Sequence, residues 1–196
     1  MTALSPVPAA AARTLWSWSL SVLEDEAARR ALLQLQDGYG LNGSLALWAA
    51  WCGRAGVDLP EDDARKIIGS VSAMDRYVVR RLREVRRHAA SPRPGFDADG
   101  LRTLRRDVYE AELAAERLIQ DRLEADTLAA CRRCAPDDGT ARTLFAACVR
   151  ALETPVLLAD DRDEAGPSRL FETLLAQAPP LPGASGVRAP ETSEVT

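Results

Sequence analysis

Histidine, lysine and strand-forming patterns are nearly absent from this chain. His88 is the one histidine among 196 residues, which removes the Glu-x-x-His motif that a di-iron bundle needs on each of two helices. Glu112 and Glu116 alone cannot supply such a centre. No glycine-rich phosphate loop, nucleophile elbow or Ser/His/Asp arrangement stands in the sequence. His88 itself closes a basic helix and reads as a solvated C-terminal residue. An enzyme is therefore unsupported, and nothing in the chain asks for a cofactor or a metal.

Cysteine is sparse as well, with four residues at irregular spacing. Cys131-x-x-Cys134 would make a zinc site only if Cys52 and Cys148 were gathered beside it. A thioredoxin-type role wants a βαβ context that is missing. Two small thiols on one packed helix face explain the pair. Residues 1–12 have no basic n-region and no long apolar core, so a secretory leader is not expected. The cysteines then read as reduced thiols in a cytosol. No apolar run approaches the roughly 20 residues that span a bilayer. The formal net charge is −4, which excludes a generic binder of nucleic acid or anionic membrane. Lys66 is the lone lysine among many arginines, and alanine is abundant. That points to the coding bias of a GC-rich bacterial genome before selection for guanidinium forks. The expectation is a soluble, cytoplasmic, bacterial protein.

What remains is helix-forming. Alanine, leucine and arginine dominate every long segment, with no alternating run. The spacing predicts an all-α fold, a compact multi-helix bundle of about six helices with a disordered C-terminal tail. Residues 1–12 read as a disordered N-terminus, 13–158 as the helical domain, 159–177 as an acidic linker with a short helix around residues 170–175, and 178–196 as the tail. The first helix should begin near Ala11 and carry Leu15, Trp16, Trp18 and Leu20. Glu24-Asp25-Glu26 re-caps a second helix running to about Asp37. Gly38 and Gly40 supply the left-handed turn that ends it, and Asn42 caps a third, bearing Leu45, Trp48 and Trp51. Pro60 opens a helix through Ile67, Ile68 and Val71, with a kink expected near Gly69, that continues through Tyr77, Val78 and Leu82 to about His88. From Asp99 to about Cys134 lies the longest pattern. Its Leu101, Leu104, Val108, Ala111, Ala115, Leu118 and Arg122 keep 3-4 spacing, the seam of a helix packed on others. That seam could lie within the chain or against a second copy. A further helix carries Leu144, Cys148 and Leu152.

Three blocks carry a resemblance: Leu15-Trp16-Ser17-Trp18-Ser19-Leu20, then Leu35-Gln36-Asp37-Gly38-Tyr39-Gly40-Leu41-Asn42, then Leu45, Leu47, Trp48 and Trp51. The stretches at 79–87 and 110–118 agree with them. In order and spacing the chain resembles, over roughly residues 15–123, the proteobacterial helical proteins of domain-of-unknown-function family 2390. It departs by lacking a Pro-Gly-like break near Asp25 and by a long extension after about Glu124. The resemblance implies a helical fold and no catalytic assignment.

The sequence offers two candidate surfaces. Trp16, Trp18, Asp37, Tyr39, Asn42 and Trp48 would line a pocket or groove if Asp37 and Asn42 offered polar contacts. Helix capping explains both polar residues without a ligand. Arg76, Arg80, Arg83 and Arg87 make a stripe on one helix, able to meet phosphates or an acidic protein surface. No aromatic residue interleaves with it to stack bases, so nucleic acid is not the expected partner. Pairing with Glu110, Glu112, Glu116 and Asp121 on the next helix would neutralise it. The expected function is that of a non-enzymatic adaptor or regulator acting by protein contacts, its partner bearing an acidic surface, with self-association possible. The alternatives are a small-molecule binder or enzyme with a pocket at the Gly-Tyr-Gly turn, and nucleic-acid binding through the arginine helix.

Overall fold

A computed structural model describes residues 14–92, 94–133, 136–151 and 166–181. The helices are α1 (Leu15–Val22), α2 (Glu26–Tyr39), α3 (Gly43–Ala55), α4 (Glu61–Met74), α5 (Arg80–His88), α6 (Ala98–Ala130), α7 (Asp138–Arg150) and α8 (Gly166–Gln177). A π-helical turn, Asp75–Val79, joins α4 to α5 without a break. Seven helical rods result among the described residues, close to the number the periodicity suggests. Val57–Asp58 and Arg132–Arg133 form one short antiparallel bridge that the composition does not signal. No helix among the described residues is long and apolar enough to cross a membrane.

The capping residues set the boundaries. Thr14 accepts from the Ser17 amide, Asp25 from Ala28, Asn42 from Ser44, Asp97 from Gly100, and Asp137 from Gly139 and Thr140. Each satisfies amide groups that the first turn leaves open. The first helix starts at Leu15 behind its Thr14 cap rather than near Ala11, and Cys134 and Leu152 lie outside the described residues. Pro60 stands one place before the helix rather than inside it. The expected kink at Gly69 does not occur, and the irregularity lies six residues later, in the π turn. Cys131 has left the helix in an extended conformation.

The core gathers around α3, whose residues from Gly43 to Gly53 are all buried. It packs most closely on α7, while α2 packs on α8. Phe145 of α7 and Phe171 of α8 stack with ring centroids 4.0 Å apart. Trp18 and Trp48 are fully buried. The Trp48 indole N–H donates to Thr127 Oγ1 at 2.8 Å and that of Trp18 to the Pro179 carbonyl at 3.0 Å. Ala178 and Leu181 are buried too, so the start of the segment read as tail packs on the core. Residues 182–196 lie outside the described residues.

Gly53 is where α7 comes closest. A methyl group there would sit 2.7 Å from the Ala141 side chain and 2.8 Å from the Asp137 carbonyl. The Asp137 amide already donates to the Gly53 carbonyl at 3.0 Å, so the backbone of α7 cannot retreat without losing a bond. Gly69, by contrast, has open space where its side chain would be. Gly53→Ala is expected to destabilise the fold by about 1–3 kcal/mol through overpacking. Gly69→Ala should stabilise it by about 0.5–1 kcal/mol through helix propensity. Urea melts of the two variants check the pair.

Candidate functional site

The turn between α2 and α3 anchors the region. Gly40 takes φ +66°, the one left-handed residue there, while Gly38 remains helical, contrary to the sequence expectation. Bonds from the Gly40 amide to the Gln36 carbonyl and from Leu41 to Leu35, both 3.1 Å, close α2. Asn42 then opens α3 with its Oδ1 2.8 Å from the Ser44 amide.

The six residues expected to line one pocket are dispersed. Trp18, Trp48 and Asn42 are core. Trp16 is half-buried, with the Arg117 guanidinium 5.9 Å from its ring centroid. Asp37 and Tyr39 do meet, at a surface concavity of about 680 Å³ between the end of α2 and the start of α8, with Leu33, Gln34, Arg169 and Leu170. The other four do not line it.

The arginine stripe is knitted into the fold. Arg80 donates from Nε to Asp75 Oδ2 at 2.8 Å and from Nη2 to the Gly40 carbonyl at 3.1 Å, clamping α5 to the turn. Arg87 pairs with Asp37. Arg76 lies 5.8 Å from the centroid of Tyr77. Arg83, only 8% exposed, donates to Glu112 Oε1 at 2.9 Å and Glu116 Oε1 at 2.7 Å. Arg86, outside the stripe, reaches Glu112 Oε2 at 2.6 Å. Of the four acids expected as partners, Glu112 and Glu116 serve; Asp121 faces Arg117 of its own helix at 3.9 Å.

Burial works against ionising Glu112, but bonds from Arg86 and Arg83 outweigh it and hold its carboxyl below the ordinary carboxylate range. Glu116 has less help: burial pushes its carboxyl up despite Arg83. Around these pairs, Gln120 Nε2 lies 3.5 Å from Ser44 Oγ. Asn42 Nδ2, Asp75 Oδ1 and Gln120 Oε1 make no hydrogen bond among the described residues. Burial also pushes the Cys52 and Cys148 thiols up, which keeps them protonated and poor as ligands or nucleophiles.

The π turn explains why arginines came inside. Ala64, Ile67, Ile68 and Val71 form the buried face of α4. Carried on with regular helical periodicity, that face would run through Val78, Leu82, Val85 and Ala89. A π turn inserts one residue, which rotates the remainder of the rod by about 100°. Asp75, Val79 and Arg83 are buried, Val78 and Leu82 pack only partly on the core, and Tyr77 is 67% and Val85 46% exposed. Tyr77 therefore does not continue the core face, whereas Leu82 stays partly buried against it.

The same inversion appears on α6. Its buried face is Glu112, Ala115, Ile119, Gln120, Leu123 and Thr127, not the expected 3-4 seam, of which Ala115 alone is buried. Leu104 and Leu118 are 47% and 57% exposed, and Ala111 between them is exposed. Gln120 and Thr127 point at α3, Arg80 and Arg87 at the end of α2. By helical rotation Val85 and the Leu104–Ala111–Leu118 row both lie away from that body, on one outer face. The π turn, Asp75 and Arg86 were not legible as site residues, because the apolar spacing runs smoothly through them.

A family model described as "Protein of unknown function (DUF2390)" matches residues 14–123. The chain belongs to that family. The DUF2390 span holds the turn, the arginine stripe and the outer face, and it ends inside α6. The chain matches no curated protein and no solved structure.

Removing the Glu112 charge takes from the half-buried Arg86 its bonded carboxylate and leaves buried Arg83 with Glu116 alone, so Glu112→Gln is expected to cost about 3 kcal/mol. Glu116→Gln should cost under about 1 kcal/mol, since its carboxyl already resists ionisation in place. The sign with pH is opposite for the two groups. Glu112 contributes stability above its unfolded range, lost as pH falls through its depressed value. Glu116 releases its proton later than in the unfolded chain, so it disfavours folding as pH rises through its own raised value. Denaturant melts from mild to strong acid should show wild type losing its advantage over Glu112→Gln.

Proposed function

We propose that this DUF2390 protein is a cytoplasmic, non-enzymatic module that works by protein contact, through the outer face of the α5–α6 hairpin. One observation carries the reading: Arg83 and Glu112 are buried between the two helices, while Val85, Leu104 and Leu118 of the same hairpin are 46%, 47% and 57% exposed. Scattered exposed apolar side chains are ordinary, but a row of them opposite a buried ion-pair network is not what solvation alone would select. The contact surface therefore moves from the arginine stripe, whose members are engaged within the fold, to the opposite side of the same helix. An acidic partner surface is no longer the requirement; an apolar one is. A bacterial source remains the reading of the alanine- and arginine-rich composition.

A second reading has the concavity at Asp37 and Tyr39 in its favour, since about 680 Å³ lies within the range of small-ligand sites. Asp37, Arg169 and the apolar Leu33 and Leu170 would suit a small amphipathic molecule bearing charge. Arg169→Ala should then abolish any thermal shift a metabolite library produces, and a library that shifts nothing removes this reading.

For the first reading, Val85→Glu with Leu104→Glu is expected to keep the wild-type helical signal and to lose the proteins that tagged wild type retains. Tyr39→Ala, on the far side, should keep them. Undiminished retention by the double variant would sink the outer face as the working surface.

A further inference from the structure

We propose that the outer face is covered by a second copy of this chain, the two α6 helices running antiparallel about a two-fold axis at Ala111. This rests on the protein-contact reading and names its partner. The exposed row is symmetric along the helix: Leu104 and Leu118 stand seven residues to either side of Ala111. Seven residues are close to two turns, so the three side chains form a nearly straight line. An isologous contact requires such self-complementarity, because each patch must meet its own copy reversed. In the antiparallel register Leu104 of each copy lies against Leu118 of the other. Ala111 and its exposed neighbour Ala114 keep the centre thin enough for the helix backbones to approach.

Charge selects this direction. With Ala111 facing its own copy, Arg122, which also holds Asp126 of its own helix at 2.7 Å, stands opposite Gly100 of the other chain, beside the capping carboxylate of Asp97. Asp107 falls opposite Ala115, and Asp121 opposite Leu101. A parallel pairing would instead set Asp107, Asp121 and Arg122 each against its own like charge, which is destabilising. The contact from Asp97 to Arg122 spans about 38 Å of helix at about 1.5 Å per residue. With Val85 of α5 alongside, that length can bury on the order of 1,200 Å², the lower bound of a standard stable interface.

The test uses full-length protein carrying single cysteines, Leu104→Cys and Leu118→Cys, made with tags of different mass. Wild type, whose own cysteines are unchanged, supplies the background. Oxidation of the mixed variants should yield a covalent heterodimer, while Leu104→Cys oxidised alone should give no more dimer than wild type. A strong Leu104→Cys self-crosslink with no mixed product would overturn the antiparallel arrangement. Sedimentation equilibrium provides the second readout. Wild type should show twice the chain mass at micromolar concentration, and Leu104→Glu with Leu118→Glu should show half that with helicity retained. A wild-type monomer throughout the micromolar range would overturn the second copy as occupant. If Val85→Glu with Leu104→Glu still lost its bound proteins, the broader contact reading would survive that result. A dimer unaffected by the glutamates would place the interface elsewhere and end the proposal.

Discussion

The carboxylate of Glu112, held between Arg83 and Arg86, decides how the α5–α6 hairpin faces. A buried carboxylate is costly unless its oxygens are met by donors in good geometry, and here both are met. Rotating α6 about its own axis would strand that charge, so the helix has one acceptable orientation. Once Glu112 points at α5, the residues on the opposite flank, Leu104, Ala111 and Leu118, have nowhere to go but outward. The exposed apolar row is a consequence of the buried ion pair.

The π turn does the same for the other helix. Its inserted residue takes a stripe that begins as Ile67, Ile68 and Val71 in the core and turns its continuation toward the edge, where Val78 and Leu82 are only partly buried and Val85 is exposed. Asp75 marks the place, buried and bonded to Arg80, which in turn holds the carbonyl of Gly40. That bond ties the irregular turn of the long rod to the left-handed turn that ends α2. Asn42, two residues on, starts the helix that carries Trp48. The ion-pair network and the tryptophan core thus share one short segment of backbone. π turns persist where surrounding contacts over-determine them, and this one is held from both sides.

Capping and periodicity made much of this legible. Asp25, Asn42, the stop at Gly40 and the extent of most helices come from which side chains can satisfy open backbone groups at which positions. The core placement of Trp18 and Trp48 and the Arg83 pairing with Glu112 and Glu116 were readable as the ordinary alternative to a ligand site. The rotation at the π turn was not. A one-residue insertion leaves no mark in composition, and Val78, Leu82 and Val85 keep an unbroken helical spacing that the backbone does not obey. The packing face of α6 was misread for a related reason: seven-residue spacing identifies a stripe, and a buried Glu112 overrides which stripe is used. Gly38 looked left-handed because glycine permits that conformation, yet only Gly40 is needed for it.

The boundary of the DUF2390 span separates the working surface from what holds it up. The span reaches Leu123, so Val85, Leu104, Ala111 and Leu118 all lie inside it. The buried indole of Trp18, also inside, donates to the carbonyl of Pro179 outside, and Arg54 reaches the Leu175 carbonyl. Without such partners those donors would be buried unpaired, at about 1–3 kcal/mol each. Helices α7 and α8 therefore complete the core of the span without touching its exposed row. A chain whose added segment had covered that row would be closed to partners there. Here the described part of the addition, α7 and α8, supports the side of the bundle away from the hairpin face, where Leu104 and Leu118 remain exposed.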